Sequence, residues 1–152
     1  MPLVGVVTGS NSDAGLIQPA LDTLTQLGID YQVAVISAHR NPEKLREYGL
    51  EAEKRGFEVI IAAAGGAAHL PGILASWTTV PVIGVPLPTS ELKGIDALLS
   101  IAQMPAGVPV ACVGIGKSGA RNAALLATQI LGLKHDEIKK AYKKYKMELT
   151  EQ

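Results

Sequence analysis

Three short segments of this chain bring together residue types that can do chemistry. The first is Thr8-Gly9-Ser10-Asn11-Ser12-Asp13, a hydroxyl-rich turn that opens into a helical pattern. The free N–H groups and positive dipole end of such a helix start suit a phosphate, and Ser10 and Ser12 can add hydroxyl donors. Capping is the competing use, because Ser12 or Asp13 can serve simply as the helix N-cap. A carboxylate would repel phosphate, so Asp13, if it meets a ligand, suits ribose hydroxyls as a hydrogen-bond acceptor. The segment is neither a Walker loop nor a GxGxxG fingerprint.

The second segment, Ser37-Ala38-His39-Arg40-Asn41-Pro42, sets an imidazole beside a guanidinium. A guanidinium binds phosphate bidentately, and an imidazole, with an unperturbed pKa of about 6.5, donates or accepts a proton near neutral pH. The third is Ala64-Gly65-Gly66-Ala67-Ala68-His69-Leu70-Pro71-Gly72. Its lack of bulk admits a ligand to the main chain, whose N–H groups can hold a carboxylate or carbon dioxide. Strand-to-helix turning accounts for some of those glycines but not for the Ala-Ala-His that follows. His69 is either a second ionisable group or a scaffold for the loop. The histidines stand in no His-x-x-x-His or Glu-x-x-His pattern, so no metal site is expected.

These segments need elements to hold them. Short apolar runs at Leu3 to Val7, Gln32 to Ile36, Val59 to Ala63, Val82 to Val85 and Val108 to Val113 alternate with segments of helical period. Near-continuous apolarity in the runs predicts five parallel strands buried on both faces. Between the first two runs, Leu16, Ile17, Ala20, Leu21, Leu24 and Leu27 share one side of a helix that Gly28 ends. A second helix begins at Asn41-Pro42 and runs to about Gly56. The expected fold class is therefore a three-layer α/β/α domain over residues 1–152, Rossmann-like or flavodoxin-like, with helices on both faces of the sheet and a C-terminal helix at about 136–148. Ligands of such sheets sit beyond the carboxyl ends of the strands, so the three loops should converge.

Composition narrows the function classes. Hydrophobic residues make up 47% of the chain, and one Phe and one Trp leave the core to aliphatic side chains. Fourteen basic and fourteen acidic residues cancel, which leaves no electrostatic footprint for nucleic acid or an anionic membrane. No apolar window reaches a membrane span, and no basic leader precedes an apolar stretch, so a cytoplasmic protein is expected. The single cysteine, Cys112, reads as a buried strand thiol. A flavin module on the same sheet would stack aromatic rings on its cofactor, yet Trp77, Tyr31, Tyr48, Tyr142 and Tyr145 all lie outside the three loops. In the segment Ala120 to Leu131, apolar residues cover most of a helix circumference, which points to a subunit contact. Asp136 to Glu148 carries Ile138, Ala141, Tyr142 and Tyr145 on one stripe and Lys139, Lys140, Lys143 and Lys144 opposite, a solvated face.

Taken together, the three loops with Gly84-Val85-Pro86, Ser100-Ile101-Ala102-Gln103-Met104-Pro105 and Asn122-Ala123-Ala124-Leu125-Leu126-Ala127 resemble the N5-carboxyaminoimidazole ribonucleotide mutase family, the class I PurE enzymes. The resemblance spans about residues 3 to 131. It implies a homo-octamer that interconverts N5-carboxyaminoimidazole ribonucleotide and 4-carboxyaminoimidazole ribonucleotide without cofactor or metal. By that match His39 is the general acid/base, Ser10 and Arg40 lie in the phosphate site, Asp13 meets the ribose, Gly66, Ala67 and Ala68 form the loop near the carboxylate, and Ser12, Ser37, His69 and Leu70 are further substrate-binding positions. Thr8, Asn41 and Ala63 stand where the family commonly has Met, Thr and Gly. A related class II carboxylates aminoimidazole ribonucleotide with free carbon dioxide and tends to carry Lys after the histidine; Arg40 favours the mutase class.

Overall fold

The computed structural model describes residues 1–152. Its centre is a five-stranded parallel sheet of order β2-β1-β3-β4-β5, the flavodoxin-like arrangement. The strands are β1 (Val4–Thr8), β2 (Tyr31–Val35), β3 (Val59–Gly65), β4 (Val82–Leu87) and β5 (Ala111–Cys112). The helices are α1 (Ala14–Gln26), α2 (Pro42–Glu51), α3 (Leu70–Trp77), α4 (Ile95–Ala102), α5 (Gly116–Leu131) and α6 (Asp136–Leu149). No helix is long and apolar enough to cross a membrane.

Strand side chains alternate between two aliphatic cores. Val4, Val6, Val59, Ile61, Ala63, Ile83 and Val85 pack under α1, α5 and α6, whereas Val7, Ile60, Ala62, Ala64 and Val82 face α2, α3 and α4. The doubly buried runs are thus β1, β3 and β4. The expectation fails for β2, an edge strand whose Gln32, Val33 and Val35 are exposed. It fails also at the other edge: of the run Val108 to Val113, only Ala111 and Cys112 join the ladder. Pro109 has no N–H to contribute there. Cys112 is half-buried rather than buried, and burial still pushes its thiol above the usual range.

Helix limits follow local signals. Asn41 Oδ1 accepts from Lys44 N at 3.3 Å and caps α2, with Pro42 in the first turn. That helix ends at Glu51, five residues before the expected stop, and continues as turns to Gly56. Part of the apolar circumference of α5 has an internal explanation. Ala120, Ala123, Ala124, Ala127 and Leu131 are buried beneath α1, α6 and the sheet, while Leu125, Leu126 and Ile130 are only half-buried. Ile138 and Tyr145 of α6 pack onto it, and Arg121 donates to the Tyr145 hydroxyl at 3.2 Å.

Candidate active site

All three chemistry-bearing loops leave the carboxyl ends of adjacent strands and meet over β1, where the chain switches from building the sheet toward β2 to building it toward β3. They enclose a cleft of about 260 Å³ lined by Gly9, Ser10, Ser12 and Asp13 after β1, Ser37 to Arg40 after β2, and Ala64, Gly65, Ala67, His69 and Leu70 around the end of β3. Thr89, after β4, completes the lining. A larger hollow of about 600 Å³ between α5 and α6 is walled by Leu133, Tyr142, Met147 and a rim of lysines, with no carboxylate or imidazole in its lining. Chemistry, not size, selects the first cleft.

The first loop divides its hydroxyls between structure and availability. Ser10 is extended and caps the 3-10 turn Asn11–Asp13, its Oγ accepting from Ser12 N at 3.3 Å and lying 2.9 Å from Ser12 Oγ. Ser10 thus caps the 3-10 turn, whereas Asp13 occupies the N-cap position of α1. Asp13 heads α1 without a side-chain cap bond and is 7% exposed, at the cleft wall. Burial raises its carboxyl above the ordinary range, opposed by a hydrogen bond from the Ser10 backbone. A buried carboxylate with spare lone pairs at a cleft is an acceptor in search of hydroxyl donors.

After β2, Ser37 Oγ accepts from both Arg40 N and Arg40 Nε at 3.2 Å, which fixes the exposed guanidinium against the loop while its terminal nitrogens remain available. His39 reaches across β1 to the third loop. Its Nε2 lies 2.6 Å from His69 Nδ1, the rings meeting edge to face at 87° with centroids 4.8 Å apart. One of the two nitrogens carries the proton and the other accepts it, so the contact is a ready path for a proton. His69 is held at the N-terminal end of α3, where Ile73 N donates to its carbonyl at 2.9 Å.

The glycine loop separates into distinct uses. Gly66 takes a φ of +59°, a left-handed turn that a side chain would strain. Gly65 lacks a side chain because Thr89 Oγ1 occupies the place one would fill. Of the residues singled out in the sequence, Ser10, Ser12, Asp13, Ser37, His39, Arg40, Ala67, His69 and Leu70 line the cleft, while Gly66 and Ala68 do not. Ala68 is instead buried in the core beneath α3. Thr89 was missed. The carboxyl-end rule applied to the fourth strand, whose Leu87-Pro88-Thr89-Ser90 exit holds two hydroxyls, would have found it. No group of three His, Cys, Asp or Glu side chains converges in a way that suits a metal ion.

A doubly wound α/β sheet with an arginine, three serine hydroxyls and a histidine pair at its switch point defines a class of protein equipped to bind a small anionic molecule and to move a proton on it. The chain belongs to the AIR carboxylase family, whose model matches residues 3–152. It is 56% identical over 149 residues to the N5-carboxyaminoimidazole ribonucleotide mutase of Pyrococcus abyssi, covering 98% of this chain and 84% of that one. It is 59% identical over 145 residues to the enzyme of that name from Saccharolobus solfataricus, covering 95% and 90%. The crystal structure of Treponema denticola PurE superposes with a TM-score of 0.88 at 31% identity, covering 99% of this chain and 93% of that one.

Proposed function

We propose that this protein is an N5-carboxyaminoimidazole ribonucleotide mutase of purine biosynthesis, and that His39 is its general acid/base. The observation that carries the reading is the 2.6 Å contact between His39 and His69 in a cleft whose other wall offers Arg40, Ser10 and Ser12 to a phosphate. The shared name of the relatives, at 55–59% identity for several of them, supports the mutase over the class II carboxylase.

In the mechanism, Arg40 and the Ser10, Ser12 and Ser37 hydroxyls hold the phosphate, and Asp13 accepts from the ribose. His39 gives a proton to N5 as the carbamate C–N bond breaks and carbon dioxide departs, leaving the neutral amine. The nucleophilic C4 of the aminoimidazole then attacks the retained carbon dioxide. His39 takes the C4 proton, which restores aromaticity and returns the imidazole to its starting state. His69 receives or supplies a proton through the Nδ1 contact. Holding both fragments together supplies most of the acceleration, and the proton relay contributes about 10²- to 10⁴-fold.

The reading includes a cytoplasmic homo-octamer that binds its nucleotide without cofactor. Leu92 in the turn before α4 and Ile95 and Leu99 on α4 are exposed apolar side chains that support self-association. The deciding experiment follows 4-carboxyaminoimidazole ribonucleotide by ultraviolet absorbance with and without bicarbonate. Reversible formation of the carbamate isomer, independent of bicarbonate, is expected. Formation of only aminoimidazole ribonucleotide and carbon dioxide, with a reverse reaction dependent on added carbon dioxide, would make the protein a carboxylase.

A further inference from the structure

We infer that the Thr89 hydroxyl is the group that recognises the migrating carboxylate, an assignment that rests on the mutase reading. Four strand exits lie in spatial order across the cleft: Ser37 to Arg40 from β2, Gly9 to Asp13 from β1, Ala64 to Leu70 from β3, and Thr89 from β4. At about 4.8 Å per strand, the first and last stand roughly 14 Å apart, a span that a phosphate, a ribose and a substituted imidazole in line can bridge with a hydrogen bond at each end. The guanidinium marks the phosphate end. Asp13 sits one strand inward, at the place of the ribose, and the His39–His69 pair spans the middle. The end opposite Arg40 is then the end that carries the carboxylate, and Thr89 is the side chain there.

Two details show that the fold sets this hydroxyl in place. The neighbouring Ser90 is committed elsewhere: its Oγ donates to Asp96 Oδ2 at 2.6 Å and accepts from Leu92 N at 3.2 Å, which ties the loop to the start of α4. Thr89 N donates to Leu87 O at 3.0 Å, turning the chain so that Thr89 faces the cleft while Ser90 faces α4. Across from it, β3 carries glycine at position 65, and any larger residue there would meet Thr89 Oγ1. The hydroxyl thus lies against the bare main chain of Gly65, in the cleft that Ala67 also lines. A hydroxyl is suited to this task because it donates to a carboxylate without the fixed positive charge that would hold the departing carboxyl group in its anionic form.

The test compares two nucleotides that differ only in the carboxylate. Binding of 4-carboxyaminoimidazole ribonucleotide and of aminoimidazole ribonucleotide is measured by calorimetry for the intact protein, Thr89→Val and Thr89→Ser, with thermal melts to confirm folding. Thr89→Val should weaken the carboxylated nucleotide about tenfold or more, the loss of a hydrogen bond to a charged group, and leave the decarboxylated one unchanged. Thr89→Ser, which keeps the hydroxyl, should retain the discrimination. Equal affinities in Thr89→Val and the intact protein, or equal losses for both nucleotides, would overturn the inference while the mutase reading stood. Failure of the intact protein to bind either nucleotide would overturn both.

Discussion

Asp13→Asn is expected to make the protein more stable and less able to bind its nucleotide. Asp13 is 7% exposed, and burial holds its carboxyl above the ordinary carboxylate range despite the hydrogen bond from the Ser10 backbone. A raised carboxyl means that the folded state takes up a proton more readily than the unfolded chain, so the ionised group opposes folding at neutral pH. That opposition is complete above the folded pKa and disappears as pH falls to the unfolded value of about 3.9. Asparagine keeps the acceptor oxygen for the Ser10 backbone and removes the buried charge. Each kcal/mol so relieved raises the Tm of a domain of this size by about 2–4 °C. The nucleotide loses charge-assisted hydrogen bonds of about 1.5–3 kcal/mol each, so one lost ribose contact weakens binding roughly 10- to 150-fold. Thermal melts of both proteins from pH 7 down to pH 4, with calorimetric binding at pH 7, read both effects. The stability difference should be largest at pH 7 and shrink on acidification. A variant that melts lower than the parent at pH 7, or binds as tightly, would refute the assignment of Asp13 as a strained ligand-binding carboxylate.

Replacing His39 with Asn should lower kcat by about 10²- to 10⁴-fold with little change in KM or in the melting temperature, because the exposed ring holds no core contact; full activity in a steady-state assay would remove it from the chemistry. Gly84→Ala puts a methyl into Ile101 Cγ2, 3.1 Å from Val110 Cγ1 and 3.4 Å from Pro71 Cβ, in the buried strand β4. Overpacking of this kind costs about 1–3 kcal/mol, which denaturant unfolding will register as a lower midpoint. Glu58 accepts from Lys134 Nζ at 2.7 Å and His135 Nε2 at 2.8 Å, tying the start of β3 to the α5–α6 turn. The Lys134 hydrogen bond, reinforced by His135 and opposed by burial, holds its carboxyl below the ordinary range. Its stabilisation is therefore present above the unfolded carboxylate pKa and lost as pH falls through the folded one. Glu58→Gln should destabilise by at most about 1 kcal/mol at pH 7, since Lys134 is largely exposed, and the difference should fade in melts taken toward pH 3.

The order of strands and helices was legible in the sequence because periodicity is a local property. Val4 to Val7 and Val59 to Ala63 announce buried strands through β-branched and small apolar residues, and Gly28 and Asn41-Pro42 mark the end of α1 and the start of α2. The loop residues were legible too, since Ser10 to Asp13, Ser37 to Arg40 and Gly65 to Leu70 sit where a parallel sheet must place its ligands. Local pattern could not say which strands lie at the edges. Gln32 to Ile36 and Val108 to Val113 read like central strands, and only pairing order exposes Val33 and shortens β5. Nor could it say what covers an apolar helix: the residues of α5 are equally suited to a partner subunit or to α1 and α6, and docking of those two helices is what buries Ala120, Ala123, Ala124, Ala127 and Leu131.

The site divides the same way. Sequence determined the residue types, the strand exits that carry them and the family they resemble. Tertiary structure alone decided that the Asp13 carboxylate is buried at the cleft wall, that His39 meets His69 thirty residues away, and that Thr89 stands where Gly65 has no side chain. The reason is physical. Identity and period are written along the chain, but hydrogen-bond geometry, burial and close approach arise between segments remote in sequence, once the parallel sheet has set their strands side by side.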